Sequence, residues 1–189
     1  MRVIGLAGRP GCGKSAVLEE LAGRPGVEAI DLDRLAWEIY APKLPAYERL
    51  VARFGPGIVA DDGEIDRGKL ARVAFATRTS RNDLEAIVHP AVIDRLQHLT
   101  QDAQRRGVRL LLVEGALLAS SSHVDRVGFD AIVWLEASEE TRRNRLRKND
   151  REHHIDRMDD VRPDAATTVV DAEGSLGDVV ARVWQAIQP

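Results

Sequence analysis

The 189-residue chain is poor in cysteine, in long apolar runs and in net charge, and each shortage excludes a class of protein. Its single cysteine excludes an internal disulfide or a cysteine zinc cluster and is typical of a reducing compartment. No apolar run approaches the roughly eighteen residues that span a bilayer. A formal net charge of −3 provides no basic field for nucleic acid. We therefore expect a cytoplasmic monomer or weak homo-oligomer that binds small molecules, with no membrane or nucleic-acid partner.

Residues 8 to 15 read GRPGCGKS and match the pattern G-x-x-x-x-G-K-[ST] at every fixed position. The glycines let main-chain N–H groups converge on one anion, Lys14 adds a cation for the β- and γ-phosphates, and Ser15 offers a hydroxyl to Mg²⁺. We call this segment the phosphate loop and expect it to bind ATP and Mg²⁺, with Ser15 as the metal ligand. The residues predicted to bind the nucleotide here are Gly8, Gly11, Cys12, Gly13, Lys14, Ser15 and Ala16.

Apolar runs alternate with longer amphipathic stretches, which is the pattern of β-α-β units. Five runs predict strands, at 2–7, 27–31, 109–113, 131–135 and 168–171. Their continuous apolarity predicts burial on both faces of a sheet covered by helices. Apolar residues between 70 and 99 recur at helical intervals, and Pro90 is expected to start a helix or to kink one. A last helix should run from Leu176 to Ile187, capped by Ser175.

Two carboxylates follow predicted strands, at the edge of the sheet where ligands bind in open α/β folds. Asp33 is the candidate base that orients or deprotonates an acceptor hydroxyl. The alternative is that it only caps a helix that begins near Arg34, and one residue can do both. Glu114 either holds Mg²⁺ through water near the phosphates, as a substrate-binding residue, or is a loop carboxylate paired with an arginine.

The run RRNRLRKNDR, residues 142 to 151, packs six cations into ten residues. On a helix, Arg143, Arg147 and Arg151 share one face, which would close over the triphosphate as a lid does. The alternative is a solvated basic helix that pairs with Glu139 and Glu140. The neighbouring histidines 153 and 154 point about 100° apart on a helix and are interpreted as lid surface.

Two further side chains lie beside these elements. Cys12 is next to Lys14 and a helix N-terminus, which should favour its thiolate, so we expect alkylation of Cys12 to block activity and nucleotide to protect it. His89, before Pro90, either contacts a ligand or makes a structural hydrogen bond.

Several stretches together resemble the dephospho-coenzyme A kinase family. They are GRPGCGKS, AIDLDRLAWEIYAP, the diagnostic FGPGIVADDGEIDRGKLARVAF between Phe54 and Phe75, LEAIVHP and the closing VVDAEGSL. The resemblance implies the three-layer P-loop NTPase fold, with a five-stranded parallel sheet, a helical acceptor-binding insertion and a short lid. It implies a single domain over 1–189, with a core at 1–33, 107–140 and 166–189, an acceptor-binding region at about 34–106 and a lid at about 141–165.

The same resemblance implies the reaction: ATP phosphorylates the ribose 3′-hydroxyl of dephospho-coenzyme A. By similarity, Asp33 is the base, Arg67 and His89 lie in the acceptor region, and Arg147 or Arg151 takes the place of the arginine in the family's lid. The phosphate loop and the arginine face themselves predict that Lys14 and Arg147 act on the transferred phosphate, with Arg143 beside the nucleotide. Two other functions stay open at this point. One is a kinase of the same fold with another small-molecule or nucleoside acceptor, and the other is a non-catalytic nucleotide-binding regulator.

Overall fold

The computed structural model describes residues 1–115, 118, 128–149, 155, 163 and 167–188. Five strands form one parallel sheet in the order β2-β3-β1-β4-β5. The strands are β1 Arg2–Gly8, β2 Val27–Asp31, β3 Leu110–Glu114, β4 Ala131–Glu136 and β5 Thr168–Asp171. The helices are α1 Lys14–Ala22, α2 Leu32–Glu38, α3 Pro45–Phe54, α4 Arg67–Ala74, α5 Arg78–Arg105, α6 Glu139–Lys148 and α7 Leu176–Ile187. All five predicted strands are confirmed, with ends that differ by at most one residue.

The sheet is buried most completely along its central strands. Burial on both faces, which was predicted for all five strands, is wrong for the two edge strands, because β2 and β5 each have one buried residue. Every residue of β3 is buried, and so are the last six residues of β1. Helices α1 and α7 pack together and share one apolar core with the sheet, whose members include Ile4, Leu6, Leu112, Val133, Val17, Leu21, Val179 and Val183. Each such side chain contributes about 1.5–3 kcal/mol by leaving water. This core fixes α1 at the carboxyl end of β1, where the phosphate loop lies.

The last helix forms as the sequence predicts. Ser175 caps α7, because its hydroxyl accepts a hydrogen bond from the main-chain N–H of Asp178 at 3.3 Å. The face that carries Val179, Val180, Val183 and Ile187 is buried. The period of 3.6 residues was therefore sufficient to place this helix.

The chain divides into two compact units, Met1–Leu32 with Thr100–Pro189, and Asp33–Leu99. The first holds the sheet and the phosphate loop. In the second, a 3₁₀ turn, Pro56–Ile58, contacts α3 and α4, and the buried side chains include Leu50, Ile58 and Ala74. Asp66 caps α4 by accepting the N–H of Lys69 at 2.9 Å. None of the described helices is long and apolar enough to cross a bilayer.

Pro90 lies inside α5, a continuous helix from Arg78 to Arg105, so the expectation that it starts a helix is wrong. Proline removes one hydrogen bond from a helix interior and clashes with the preceding turn. Buried side chains on both sides of the proline, Ile87, Val88, Val92 and Leu96, keep helical phase across it. Their burial offsets the local cost, and the helix continues.

Candidate active site at the phosphate loop

The phosphate loop connects the last residue of β1, Gly8, to the first residue of α1, Lys14. Gly13 takes the N-cap position of α1 with a φ of 91°, and Gly11 has a φ of 84°. Non-glycine residues rarely adopt these angles. The turn from Arg9 to Cys12, which contains Gly11, is closed by a hydrogen bond from the Cys12 N–H to the Arg9 carbonyl at 3.2 Å. The predicted loop therefore lies between a strand and a helix N-terminus, whose N–H groups and dipole favour an anion.

Lys14 folds back over this loop. Its Nζ donates hydrogen bonds to the carbonyl oxygens of Gly8 at 2.9 Å and Arg9 at 3.4 Å. Both acceptors are main-chain oxygens of the loop itself. The ammonium group is thus held above the segment that the sequence assigns to the phosphates.

Cys12 is a buried residue of the loop, only 1% exposed. Burial raises the pKa of the Cys12 thiol, and this outweighs the lowering effect of the nearby Lys14 and Arg142 charges. The expectation that the loop favours a Cys12 thiolate is therefore wrong. A cation near a thiol stabilises the thiolate only when the sulfur also keeps its solvation.

The hydroxyl of Ser15 donates a hydrogen bond to Oε1 of Glu114 at 2.7 Å. Glu114 is the last residue of β3 and only 5% exposed, so its carboxylate is held by the sheet rather than by a loop. Its register partner on β2 is Asp31, the last residue of that strand. The carboxyl ends of two neighbouring strands therefore bring acidic residues to one edge of the sheet, with Ser15 joined to one of them.

Helix α6 packs against the phosphate loop through arginines that the sequence analysis did not single out. Arg142 is 3% exposed, and its Nη1 donates to the carbonyls of Ile155 at 3.3 Å and Pro10 at 3.5 Å. Arg145 donates from Nη1 to the Cys12 carbonyl at 3.3 Å. Its Nη2 reaches the carbonyls of Ala172 at 2.8 Å and Gly174 at 3.3 Å. Both guanidinium groups therefore bind main-chain oxygens.

The predicted arginine face is only partly within the described residues. Arg143 forms an ion pair with Glu139 at 2.7 Å, one helical turn away, which lowers the pKa of the Glu139 carboxyl. This is the pairing that the alternative interpretation of the basic helix predicted. Arg147 lies in α6, whereas Arg151, His153 and His154 fall outside the described residues, as does most of the predicted lid at 141–165.

Asp33 belongs to the second unit, where it is exposed in the first turn of α2. Because α2 begins at Leu32, the prediction that Asp33 caps a helix starting near Arg34 is wrong. Burial, together with the nearby Asp33 charge, raises the pKa of Tyr40 to about 12. Tyr40 therefore stays protonated beside the carboxylate at every physiological pH.

The other two predicted acceptor residues also lie in this second unit. Arg67 is the first residue of α4, and its guanidinium stacks on the indole of Trp37. Among the described residues, no ion pair joins the Arg67 guanidinium to a carboxylate. His89 lies within α5 and is half-buried.

The site residues thus fall into two groups. The first unit brings together Gly8, Gly11, Cys12, Gly13, Lys14, Ser15, Ala16 and Glu114, and the second holds Asp33, Arg67 and His89. A family model described as Dephospho-CoA kinase matches residues 2–177. The chain belongs to the dephospho-CoA kinase family.

Individual relatives extend this match. The chain is similar to the dephospho-CoA kinase of Symbiobacterium thermophilum, with 38% identity over 146 residues that cover 77% of this chain and 60% of that protein. It is 32% identical to the dephospho-CoA kinase of Bacillus licheniformis over 191 residues, 98% of this chain and 94% of that protein. Among solved structures, TT1252 from Thermus thermophilus is 31% identical with a TM-score of 0.75, covering 98% of this chain and 95% of that one. The fold is shared with the dephospho-CoA kinase of Campylobacter jejuni, which is 18% identical with a TM-score of 0.60, covering 99% of this chain and 96% of that one. The predicted P-loop kinase fold is confirmed.

Sequence reasoning missed Arg142, Arg145 and Trp37. Two of these lie in the arginine run that it did analyse, but on another side of the helix. Trp37 had no motif to mark it, because its partner Arg67 lies thirty positions further along the chain. The contacts of these three residues with the phosphate loop and with Arg67 are therefore not revealed by motif spacing alone.

Proposed function

We propose that this chain is an ATP-dependent kinase that phosphorylates the ribose 3′-hydroxyl of dephospho-coenzyme A, giving coenzyme A and ADP. The observation that carries the proposal is the phosphate loop, seated between β1 and α1 in a chain that belongs to the dephospho-CoA kinase family. This membership disfavours both a kinase with another acceptor and a regulator without turnover. A cytoplasmic location agrees with the single, reduced cysteine.

Transfer of a phosphoryl group asks the protein mainly for position and charge. The loop N–H groups and Lys14 would bind the triphosphate, with Gly8, Gly11, Gly13 and Ala16 allowing close approach. Arg147 would add positive charge beside the phosphates, and Arg143 would do so only on leaving its ion pair with Glu139.

The Ser15 hydroxyl and the Glu114 carboxylate, 2.7 Å apart, are the hard oxygen donors that Mg²⁺ prefers, and they fit a magnesium site. When bound, Mg²⁺ neutralises charge on the phosphate oxygens. Ser15 would hold the ion directly, and the sheet would keep the Glu114 carboxylate in place.

The second unit, Asp33–Leu99, would carry the acceptor. Arg67 would receive an anionic group of dephospho-coenzyme A on the N–H edge of its guanidinium, and His89 would contact the same substrate. Asp33 would accept the proton of the 3′-hydroxyl as that oxygen forms its bond to the γ-phosphorus. The bond from the γ-phosphorus to the bridging oxygen breaks, and ADP leaves with the electron pair.

Replacing one carboxylate tests the assignment of the base. Asp33→Asn should keep the Kd for ATP and lose at least about a hundredfold in kcat, because general-base catalysis contributes roughly 10²–10⁴-fold. The measurement is ADP release, coupled to an indicator reaction, with isothermal titration for ATP. Asp61→Asn is the matched control, since Asp61 is an exposed carboxylate of the same unit.

The acceptor is tested by the same ADP-release assay on wild-type protein. Dephospho-coenzyme A should give the highest kcat/KM among dephospho-coenzyme A, adenosine, pantetheine derivatives and common nucleosides. A different preferred acceptor would overturn the substrate assignment. Turnover of Asp33→Asn within about threefold of wild type would overturn the role of Asp33 alone.

A further inference from the structure

Helix α6 lies between two segments at the same edge of the sheet: the phosphate loop after β1 and the loop 172–175 after β5. Arg145 contacts both, through the Cys12 carbonyl on one side and the Ala172 and Gly174 carbonyls on the other. We propose that Arg145 is a positioning residue that fixes the spacing of these two loops, so that the two ends of one ATP molecule bind at their productive separation. The inference rests on the proposed function, because it takes ATP as the ligand.

The contacts of Arg145 suit a spacer. A guanidinium is a rigid planar fork with five N–H donors, so its two terminal nitrogens can bind acceptors on different segments at a fixed distance. Nη1 is used by the phosphate loop and Nη2 by the loop after β5, at distances of 2.8–3.3 Å. A lysine would present a single nitrogen on a flexible stem and could not reproduce that geometry.

The other end of α6 is tied to the loop 172–175 as well. The Glu173 carboxylate accepts from the Ser138 N–H and from the Thr141 hydroxyl, both at 2.6 Å, across the first turn of the helix. The hydrogen bond from the Thr141 hydroxyl has the largest effect in lowering the pKa of the Glu173 carboxyl, and the bond from the Ser138 N–H adds to it. Glu173 therefore stays ionised at neutral pH. The helix is held to this loop at two points, one turn or more apart, and cannot rotate against it.

The phosphate loop is also held against α6 by direct contact. A Cβ placed on Gly11 would lie 2.6 Å from the Arg142 carbonyl oxygen and 2.8 Å from the Arg142 Cα. The main chains of loop and helix therefore touch at Gly11, while Arg145 ties them together one residue further along at Cys12. A shift of α6 would move both loops.

The strand order of the sheet explains why the distance between the phosphate loop and the loop 172–175 matters for nucleotide binding. In the strand order β1-β4-β5, the two loops follow strands that are two positions apart, which is about 10 Å at the usual strand spacing. That separation matches the reach of a nucleotide from its phosphates to its base. A nucleotide with its phosphates on residues 8–15 would place its base beside 172–175, where α6 sets the distance.

The test separates the whole nucleotide from its parts. Isothermal titration, in displacement form for weak ligands, measures the Kd of ATP, adenosine and tripolyphosphate with wild type, Arg145→Met and Arg145→Lys. In Arg145→Met the Kd of ATP should rise about tenfold, whereas those of adenosine and of tripolyphosphate should each change less than about twofold. In Arg145→Lys the Kd of ATP should rise by a smaller factor than in the methionine variant. If the methionine variant does not fold, the lysine variant provides the test.

Each other result overturns the inference. If only the affinity for adenosine fell tenfold, Arg145 would be a direct contact of the base. If only the affinity for tripolyphosphate fell tenfold, Arg145 would be a direct contact of the phosphates. Unchanged ATP binding would mean that the spacing is set elsewhere. Arg105→Met is the control, since Arg105 is an exposed, ion-paired arginine on α5, and all three Kd values should stay the same. A wild-type protein that binds ATP in this way but does not phosphorylate dephospho-coenzyme A would contradict only the proposed function.

Discussion

The contact between the phosphate loop and α6 can be measured by adding a single methyl group at Gly11. Alanine at this position meets two penalties: a φ of 84°, and a Cβ within 2.6 Å of the Arg142 carbonyl oxygen. The first costs roughly 1–2 kcal/mol for an L-residue. The second requires the main chain of the loop or of α6 to shift, and such overpacking typically costs about 1–3 kcal/mol. We expect Gly11→Ala to lower the free energy of unfolding by about 2–5 kcal/mol.

Gly107 offers a matched control. It has nearly the same conformation, with a φ of 77°, and an added Cβ would meet no atom within 4 Å. Gly107→Ala should therefore lower the free energy of unfolding only by the cost of the positive φ, roughly 1–2 kcal/mol. The difference between the two variants isolates the crowding against α6.

Urea denaturation followed by circular dichroism gives both free energies, and thermal melts should show Tm falling by about 2–4 °C per kcal/mol for a chain of this size. Gly11→Ala should also weaken ATP binding, whereas Gly107→Ala should not. Equal losses of stability in the two variants would refute the reasoning, because they would show that the loop does not lie against the main chain of α6.

Three further outcomes follow from the ionisable groups. Iodoacetamide should label Cys12 in the folded protein at pH 8 at least about tenfold more slowly than in urea, because burial raises its pKa; equal rates would contradict the buried thiol. Tyr40 has a pKa of about 12 in the folded chain against about 10 when unfolded, so the folded state keeps its proton longer and stability should fall as pH rises from 10 to 12. Tyr40→Phe should flatten that part of the pH profile, and an unchanged profile would refute the shift. Glu114→Gln keeps an acceptor for Ser15 but loses the charge, so the Mg²⁺ concentration for half-maximal turnover should rise several-fold, whereas Glu19→Gln, an exposed change on α1, should leave it unaltered.

The fold could be predicted in detail because its signals are local. The three central strands of the sheet are short apolar runs, and the phosphate loop is marked by glycines whose spacing the geometry requires. Helix α7 shows one apolar face over its whole length. Such patterns depend only on neighbouring residues and on burial, so they can be recognised in the sequence without knowledge of the tertiary structure.

Pro90 shows where a local rule fails. The apolar positions Ile87, Val88, Val92 and Leu96 keep one helical phase on both sides of the proline, and that phase was visible in the sequence. Four buried side chains at about 1.5–3 kcal/mol each outweigh the roughly 3 kcal/mol that an interior proline costs. Periodicity that continues through a proline therefore favours one long helix over two.

The arginines of α6 show what charge spacing leaves undecided. In the run 142–151, cations occupy positions on several sides of the helix, so the spacing of charges does not select a face. Leu146 is the one apolar residue of that run and is 7% exposed, and Arg142, one turn before it, is buried on the same face. Burying one leucine is worth about 1.5–3 kcal/mol, whereas an exposed ion pair on a helix is worth about 0.2–0.5 kcal/mol.

The single leucine therefore sets the rotation of α6, and the two described members of the predicted arginine face, Arg143 and Arg147, lie about 60° and about 100° away from it around the helix. That rotation directs Arg142 and Arg145 at the carbonyls of Pro10, Cys12 and Ala172. Every residue type carries such a carbonyl, so no sequence pattern marks it as the partner of an arginine. Residues that hold main-chain segments in place can be found only when the rotation of their helix is known. In this chain, Leu146 alone was enough to give the rotation of α6.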